Sequence, residues 1–317
     1  MFIHIELTNN CNTNCVFCPR EKILDTGYIE KSTFEKIIER VKEFQRRHPN
    51  EPEKVNICGL GEPFLHPDIV DFISMLTKNK LFSSIASNGF LVNKEKSKKL
   101  IKSGLKEMFY SVSGIDELYS KIHKLDFNVV KDNILSFKKY AKNKCSVWIL
   151  ITKCEYNKSS IEELKNYWIS QGIHKIVVWE ENNRGGSYDN RKSLLAGDAF
   201  LDEAVILLKN RNIRPICFTP FFDVFIGWNG LYYMCCNDFE KKFPLGSVFE
   251  YSIEEMHEIK RKKYEKGLSI CKKCDNDPVN LVRAILLKIE SKEVSSLDIE
   301  PLLDHLKNDS LIIYGNY

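Results

Sequence analysis

FIHIELTNNCNTNCVFC, from Phe2 to Cys18, places three cysteines directly after the first apolar run of the chain. Phe2 to Leu7 is short and rich in apolar and β-branched residues, which predicts a β-strand. Cys11, Cys15 and Cys18 follow at the spacing C-x3-C-x2-C on a polar stretch typical of a loop. Three thiolates can hold three irons of a [4Fe–4S] cube and leave the fourth iron open to another ligand.

Zinc, or three unrelated thiols, would also account for this triplet. Structural zinc takes four protein ligands, and no fourth Cys or His lies nearby in the sequence. The chain has eleven cysteines, and in a reducing compartment clustered cysteines indicate metal or cluster ligands because disulfides rarely persist there. The spacing therefore favours an open iron–sulfur cluster.

Strand-length apolar runs and amphipathic helical patterns alternate outward from this stretch. The predicted strands are Phe2 to Leu7, Lys54 to Cys58, Phe82 to Ser87, Glu107 to Val112, Cys145 to Thr152 and Lys175 to Trp179. Helical patterns between them cover Lys31 to Phe44, Ile69 to Thr77, Lys94 to Ile101, Val129 to Tyr140 and Ile161 to Ser170. Because alternating βα units bury a parallel sheet under crossover helices, the sequence predicts an α/β fold, a partial (β/α)6 TIM-type barrel.

Beyond Gly186 the regular alternation of strand and helix patterns ends. The sequence there predicts a helix near Asp202 to Lys209, a β-hairpin turning at Asn229-Gly230, a helix near Ile253 to Tyr264 and a cysteine knuckle. We therefore predict three parts: a barrel domain (1–186), a small C-terminal iron–sulfur module (187–278) and a helical extension (279–317).

Composition limits the classes of partner. The chain has 317 residues, 43% hydrophobic, and a net charge of only +4 without a basic block, so no nucleic acid is expected. The N-terminus lacks a signal pattern and the longest apolar runs are strand-length, so we expect a cytoplasmic protein without a membrane partner.

Polar loop residues follow the second, third and fourth predicted strands. They are Gly59-Leu60-Gly61-Glu62-Pro63, Ser87-Asn88-Gly89 and Ser111-Val112-Ser113. Each is ordinary loop chemistry by itself. Because ligands of parallel barrels bind over the carboxyl ends of the strands, the set in register with the cysteine triplet indicates one binding site.

A second cysteine group lies downstream, at Cys217, Cys235, Cys271 and Cys274. Four thiols, two of them as C-x2-C, can fully ligate either zinc or a second [4Fe–4S] cube. Spacing does not distinguish these two, and the first cluster favours iron and sulfur.

The triplet, with Phe17 before its last cysteine, resembles the signature of the radical S-adenosylmethionine (SAM) superfamily. The resemblance implies that SAM chelates the open iron, and that an electron from a donor such as flavodoxin or ferredoxin cleaves SAM to a 5′-deoxyadenosyl radical. It further implies a SAM-binding set in which Gly61, Glu62 and Pro63 meet the amino group. Ser87, Asn88, Ser111 and Ser113 stand where the family meets the SAM carboxylate or ribose.

The downstream pattern C…G-x4-C…C-x2-C is similar to the Twitch module, the short form of the SPASM auxiliary-cluster domain. This resemblance implies one auxiliary [4Fe–4S] cluster and thus two clusters in all. Within that subgroup the chain resembles 2-deoxy-scyllo-inosamine dehydrogenases and related sugar epimerases. It departs from these dehydrogenases in having Cys236 in place of an aromatic residue, a longer gap between Arg184 and Cys217, and a C-terminal extension.

Two residues are candidates for substrate chemistry. Cys236 follows a predicted ligand in a slot where relatives place a residue that acts on substrate, and we expect it at the cluster's face toward the barrel mouth. Its thiol could quench a carbon radical by donating hydrogen, or it could be an inert thiol or the ligand itself. Arg184 offers a guanidinium fork to hydroxyls or carboxylates, or is a surface loop residue.

The predicted function is a radical SAM oxidoreductase or isomerase acting at a C–H bond of a small polar substrate such as an aminocyclitol, sugar or nucleotide sugar. Modification of a ribosomal peptide is the first alternative. It is disfavoured because the chain starts at the first strand with no leader-binding module in front. The second alternative is a non-enzymatic metal-cluster protein.

Overall fold

The computed structural model describes residues 1–49, 54–188, 200–213, 215, 217 and 219–314. Its strands are β1 to β9 in chain order, at Phe2–Ile5, Lys54–Ile57, Phe82–Ser87, Glu107–Ser111, Ser146–Lys153, Ile176–Glu180, Asp223–Ile226, Leu231–Tyr233 and Pro244–Ser247. Its helices are α1 to α12, at Lys31–Arg47, Ile69–Lys78, Lys94–Ser103, Asp116–His123, Phe127–Ala141, Ile161–Ser170, Leu201–Asn210, Thr219–Phe222, Ile253–Glu265, Ser269–Lys273, Pro278–Glu290 and Ile299–Tyr314.

The described strands form one sheet in the order β6-β5-β4-β3-β2-β1-β7-β8-β9. Strands β1 to β6 run parallel with helices between them, which confirms the predicted α/β partial barrel. Strand β7 joins the other edge of β1, also in parallel, and β8 and β9 extend the sheet in antiparallel fashion. The predicted hairpin at Asn229-Gly230 is the β7–β8 turn, where Gly230 adopts φ 74°.

The two faces of this sheet differ in chemistry. One face is apolar and fully buried, as at Ile5, Ile57 and Tyr110, and the Tyr110 ring contacts Phe137 of α5 with centroids 5.9 Å apart. The opposite face, here called the inner face, carries polar and aromatic side chains. In register across the strands these include His4, Lys54, Asn56, Ser84, Glu107 and Trp148. All except Ser84 are only half-buried.

Helix α4 is the main element that the sequence patterns missed in the barrel. It begins at Asp116, soon after β4, and ends at His123, where Lys124 takes a left-handed conformation with φ 55°. Its buried side chains are Tyr119, Ile122 and His123. Eight residues give too few turns for a clear helical period, which explains the omission.

Contacts within the chain define two compact units that do not follow the predicted boundaries. The first unit comprises Met1–Glu181 and Phe221–Arg261, so it holds the whole sheet; the second comprises Asn182–Pro220 and Lys262–Tyr317. The second unit has its own apolar core, in which Leu208 of α7, Val282 of α11 and Leu303 of α12 are buried. The division at 186 and 278 stays a prediction. In the described part of the chain, no helix combines the length and hydropathy that crossing a membrane requires.

Candidate active site

The segment that carries Cys11, Cys15 and Cys18, here called the triplet loop, follows the carboxyl end of β1. It is held by groups that follow other strands. Asn88, after β3, donates from Nδ2 to Asn12 Oδ1 at 2.8 Å. Arg20 donates from Nη1 to the carbonyl oxygens of Asn9 (2.6 Å) and Leu60 (2.8 Å). These bonds fix the loop that carries the three thiols against the loop that follows β2.

The three thiols of the triplet fit a cluster by their electrostatics. Burial, followed by the neighbouring Cys18 and Cys11 sulfurs, raises the pKa of the Cys15 thiol to about 12, and burial also raises that of Cys11. Thiols crowded in this way ionise only when a cation compensates their charge, and iron supplies that compensation. All three are half-buried, and the structure, which describes all eleven cysteines of the chain, has no disulfide between them.

No three His, Cys, Asp or Glu side chains within the described ranges are grouped tightly enough to hold a single metal ion. Thiols that each bind a different iron of a cube need not converge on one point.

Glu62 is a buried carboxylate at the centre of the predicted SAM-binding set. It accepts hydrogen bonds from Phe64 N (3.1 Å), Ser87 Oγ (2.8 Å) and Asn88 N (2.8 Å). With 2% exposure, burial raises its pKa to about 7 in spite of these donors. A buried carboxylate in this state is suited to accept from an amino group of a ligand.

Gly61 and Pro63 shape the backbone around this carboxylate. A Cβ on Gly61 would lie 2.3 Å from the Asn10 carbonyl oxygen, so only glycine allows the two loops to touch. Pro63 opens a short 3-10 turn, Pro63–Leu65, which Glu62 caps. Glu6, 1% exposed, accepts from Leu60 N at 2.8 Å and pairs with Lys241, which anchors the same loop to β1.

The end of β4 meets the triplet through His123. Ser113 N donates to His123 Nε2 at 2.9 Å, and His123 Nδ1 lies 3.3 Å from Cys15 Sγ. Phe17 packs its buried ring edge-on against the same imidazole, with centroids 5.6 Å apart. Ser113 Oγ accepts from Thr152 N at 3.0 Å, whereas Ser111, at the last position of β4, is half-buried.

In the second unit, Cys217, Cys271 and Cys274 lie close enough to influence one another's ionisation. The Tyr264 hydroxyl accepts from Cys217 N at 2.9 Å and interacts with both Cys217 and Cys271, while Cys217 interacts with Cys274. Burial raises the pKa of Cys217 and of Cys274 to about 12. Asn280 of α11 donates from Nδ2 to the carbonyl oxygens of Cys271 (2.9 Å) and Cys274 (2.8 Å), which shapes the knuckle.

The loop of Arg184 is fastened to that knuckle within the second unit. Asn183 N donates to the Asp275 carboxylate at 2.9 Å, and Asn183 Nδ2 donates to Lys273 O at 2.6 Å. A Cβ on Gly186 would lie 2.9 Å from Lys273 Cβ, so the glycine permits this close approach. Arg184 itself is half-buried with φ 49°. The loop of Arg184 therefore lies against the knuckle that carries Cys271 and Cys274.

Cys235 and Cys236 belong to the first unit, where they follow β8. Because β8 runs antiparallel to β7, the chain leaves it toward the amino ends of the parallel strands, at the other end of the sheet from the triplet. Lys260, fully buried, donates to Asp223 O at the start of β7 (2.6 Å) and interacts with both thiols. The expectation that Cys236 lies at the auxiliary cluster's face toward the barrel mouth stays a prediction, with the residue approaching from this end of the sheet. That Cys235 ligates the same cluster as Cys217, Cys271 and Cys274 stays a prediction.

Sequence reasoning missed several residues that organise the site. His123, Asn183 and Asp275 act through contacts distant in sequence, and no local motif marks them. Cys58, directly after β2, is half-buried on the inner face, with Sγ 3.2 Å from His4 Nδ1.

The fold and the two cysteine groups define an iron–sulfur enzyme class built on a partial barrel. Residues 5–167 match the Radical SAM superfamily, and residues 217–275 match SPASM, described as an iron–sulfur cluster-binding domain. Since the first match covers more than half of the chain, this protein belongs to the radical SAM superfamily, as its motifs predicted. The two domains together imply SAM and two [4Fe–4S] clusters as cofactors.

Relatives among curated proteins match part of the chain. A tungsten-containing aldehyde ferredoxin oxidoreductase cofactor-modifying protein of Pyrococcus furiosus is 24% identical over 56% of this chain and 50% of its own length. A GTP 3′,8-cyclase of Campylobacter jejuni is 31% identical over 43% of this chain and 41% of its own. The chain thus spans about half or less of these two relatives.

Solved structures share the fold across most of the chain. BtrN in complex with AdoMet and 2-DOIA has a TM-score of 0.56 at 18% identity, covering 86% of this chain and 92% of its own. Native anSMEcpe with bound AdoMet gives 0.64 at 15% identity, covering 97% and 100%. Streptococcus suis SuiB bound to the precursor peptide SuiA gives 0.61 at 16% identity, covering 88% and 70%.

We expect SAM binding to depend on the ionisation of Glu62. As pH rises from 6 to 8 through its raised pKa, the carboxylate form increases on the order of tenfold. The affinity of the wild type relative to Glu62→Gln should rise by a similar factor, because glutamine never gains the charge. Equilibrium dialysis with SAM at pH 6, 7 and 8 measures this ratio, and parallel profiles for the two proteins would contradict the expectation.

Proposed function

We propose that this chain abstracts hydrogen from a C–H bond of a small polar substrate, such as an aminocyclitol, a sugar or a nucleotide sugar, and gives an epimer or a dehydrogenated product. When bound, the cluster of Cys11, Cys15 and Cys18 and its SAM supply a 5′-deoxyadenosyl radical, with an external donor such as flavodoxin or ferredoxin providing the electron. The chain's own residues bind SAM, orient the substrate and decide the fate of the substrate radical.

The observation that carries the substrate class is the polar inner face of the sheet. Barrel interiors are ordinarily filled by branched apolar residues. Here Trp148 Nε1 donates to Glu107 Oε1 at 3.2 Å, Lys54 pairs with Glu107, and Ser84 pairs with Asn56. Half-buried amide and charged groups on one face suit a ligand with many hydroxyl or amino groups. This lining extends between the end that carries the triplet and the end that carries Cys236.

Cys236 supports epimerisation over dehydrogenation. It is half-buried and follows a buried cysteine, Cys235. A thiol beside a cluster is an oxidation hazard unless it is used. In the proposed step the S–H bond breaks, its hydrogen joins the substrate carbon from the face opposite to abstraction, and the sulfur regains an electron from the donor and a proton from solvent.

Arg184 is proposed as a substrate-orienting residue. Its planar fork can hold two hydroxyl oxygens or a carboxylate, and its loop is fixed by Asn183 and Asp275. We keep Cys235 with Cys217, Cys271 and Cys274 as the proposed ligands of the auxiliary cluster.

Peptide modification is the second candidate, because the structurally similar SuiB is bound to a precursor peptide. The Lys54–Glu107 pair and the Asn56 amide of the inner face favour the small polar substrate. A cluster-binding protein without activity is distinguished by SAM cleavage, which it would lack.

Replacing Cys11, Cys15 and Cys18 together with alanine should remove about four irons per chain and abolish formation of 5′-deoxyadenosine, because the open iron is what holds SAM. Iron analysis and chromatography of reduced, reconstituted protein measure both. The triple variant Cys58→Ala, Cys145→Ala, Cys154→Ala is the matched control and should keep about eight irons. Undiminished SAM cleavage without the triplet would end the proposal.

Replacing Cys217, Cys235, Cys271 and Cys274 should stop product formation while some uncoupled SAM cleavage continues, because radical generation and substrate handling use different clusters. Iron content should fall from about eight to about four per chain. A variant that kept all of its iron would show that the ligands were assigned wrongly.

Turnover in deuterated water should place one deuterium at the inverted carbon, because the Cys236 S–H exchanges with solvent. Cys236→Ala should still abstract hydrogen yet fail to invert. A dehydrogenase would instead give a product two hydrogens lighter, and Cys236→Ala would keep substantial activity. Mass spectrometry of products from candidate sugars distinguishes epimerisation from dehydrogenation. A product of unchanged mass and configuration would contradict both reactions.

A further inference from the structure

His123 contacts both the loop of the cysteine triplet and the end of β4, which belong to separate sequence motifs. It is the last residue of α4 and is 1% exposed. Its ring stacks on Tyr119 with centroids 4.6 Å apart and meets the edge of Phe17 at 5.6 Å. Packing on both sides fixes the plane of the imidazole, so its two nitrogens point in defined directions.

The hydrogen-bond partners determine which nitrogen carries the proton. Ser113 N is a backbone N–H group and can only donate, and it lies 2.9 Å from His123 Nε2. Nε2 is therefore the acceptor, and the single N–H of a neutral imidazole is on Nδ1. Nδ1 lies 3.3 Å from Cys15 Sγ, a distance at which its N–H donates to sulfur.

We propose that this N–H···S hydrogen bond from His123 to Cys15 raises the reduction potential of the cluster that accepts SAM. The proposal rests on the proposed function only in taking Cys15 as a ligand of that cluster. Hydrogen bonds to ligand sulfurs are among the determinants of iron–sulfur potentials. A donor withdraws negative charge from the thiolate, and this stabilises the reduced cluster more than the oxidised one, because the reduced cluster carries the extra electron.

His123 also links Cys15 to Ser113, at the strand end predicted to meet SAM. A ligand that moves the Ser113 backbone would change the hydrogen bond on the far side of the ring. His123 is thus a positioning residue between SAM and the cluster, and it touches the cluster ligand rather than the substrate.

The structure allows the imidazole to be changed without releasing the loop. Val16 N donates to Ile122 O at 3.0 Å, and the Thr13 hydroxyl donates to His123 O. Both bonds use backbone carbonyls of α4, so they do not depend on the side chain at position 123. Substitutions there test the hydrogen bond to sulfur separately from the tether.

Three full-length, reconstituted variants provide the test. His123→Phe keeps the ring and removes both polar atoms. His123→Gln keeps one acceptor and one N–H donor, the pair that the neutral imidazole uses. Tyr110→Phe is the matched control, since its hydroxyl is also fully buried and, among the described residues, has no hydrogen-bond partner.

The potential is measured by a redox titration followed by EPR, on the signal that changes when SAM is added. We expect His123→Phe to lower the ratio of reduced to oxidised cluster at least tenfold at a fixed potential, which for one electron is about 59 mV. His123→Gln should keep the potential close to the wild-type value, and Tyr110→Phe should leave it unchanged. An unaltered potential in His123→Phe with its iron intact would overturn the inference.

A measurement on the wild type covers the case in which His123→Phe does not hold iron. Pulsed EPR of the reduced cluster in protein labelled with 15N-histidine should show one weakly coupled histidine nitrogen, absent in His123→Gln. Wild-type protein without that coupling would also overturn the inference. Failure of the proposed function has a different signature, namely wild-type protein that neither binds the first cluster nor cleaves SAM.

Discussion

The triplet loop has no helix or strand of its own, so its shape depends on hydrogen bonds from groups that follow other strands. Buried polar groups must find partners, and partly satisfied networks are costly. Here the loop's polar groups meet Asn88 after β3, the backbone around Leu60 after β2 and the carbonyls of α4. The spacing of the three thiols is thereby set by groups that the strands of the sheet position.

A similar solution is found in the second unit, with different residues. There the knuckle of Cys271 and Cys274 is fixed by Asn280 and by the Asn183–Asp275 pair. In both places short polar side chains bond to backbone groups across long sequence separations. Raised thiol pKa values in each group give the physical reason: the thiols are positioned for a cation, and without one burial keeps them protonated.

Much of the fold could be predicted because the barrel strands and helices follow simple periods. The predicted ends of β3 and α6 coincide with the structure, and the other barrel strands differ by one or two residues. The triplet and the Glu62 loop were also found, since each is continuous in sequence. Contacts such as His123–Cys15 or Glu6–Lys241 join residues 108 and 235 positions apart, and no local pattern encodes them. The end of the sheet at which Cys235 and Cys236 follow β8 could not be predicted, because it depends on the direction of β8, which strand pairing decides.

The direction of β8 relates the length of the barrel strands to the size of the substrate. The triplet follows the carboxyl end of β1. The segment with Cys236 leaves β8 toward the amino end of β1. A strand of four residues spans about 13 Å. If the proposed epimerisation is correct, the 5′-deoxyadenosyl group and the Cys236 thiol must reach opposite faces of the same carbon, so cofactor, substrate ring and thiol together have to fill about that interval. Selection by size would then be built into the sheet itself, before any side chain makes a specific contact.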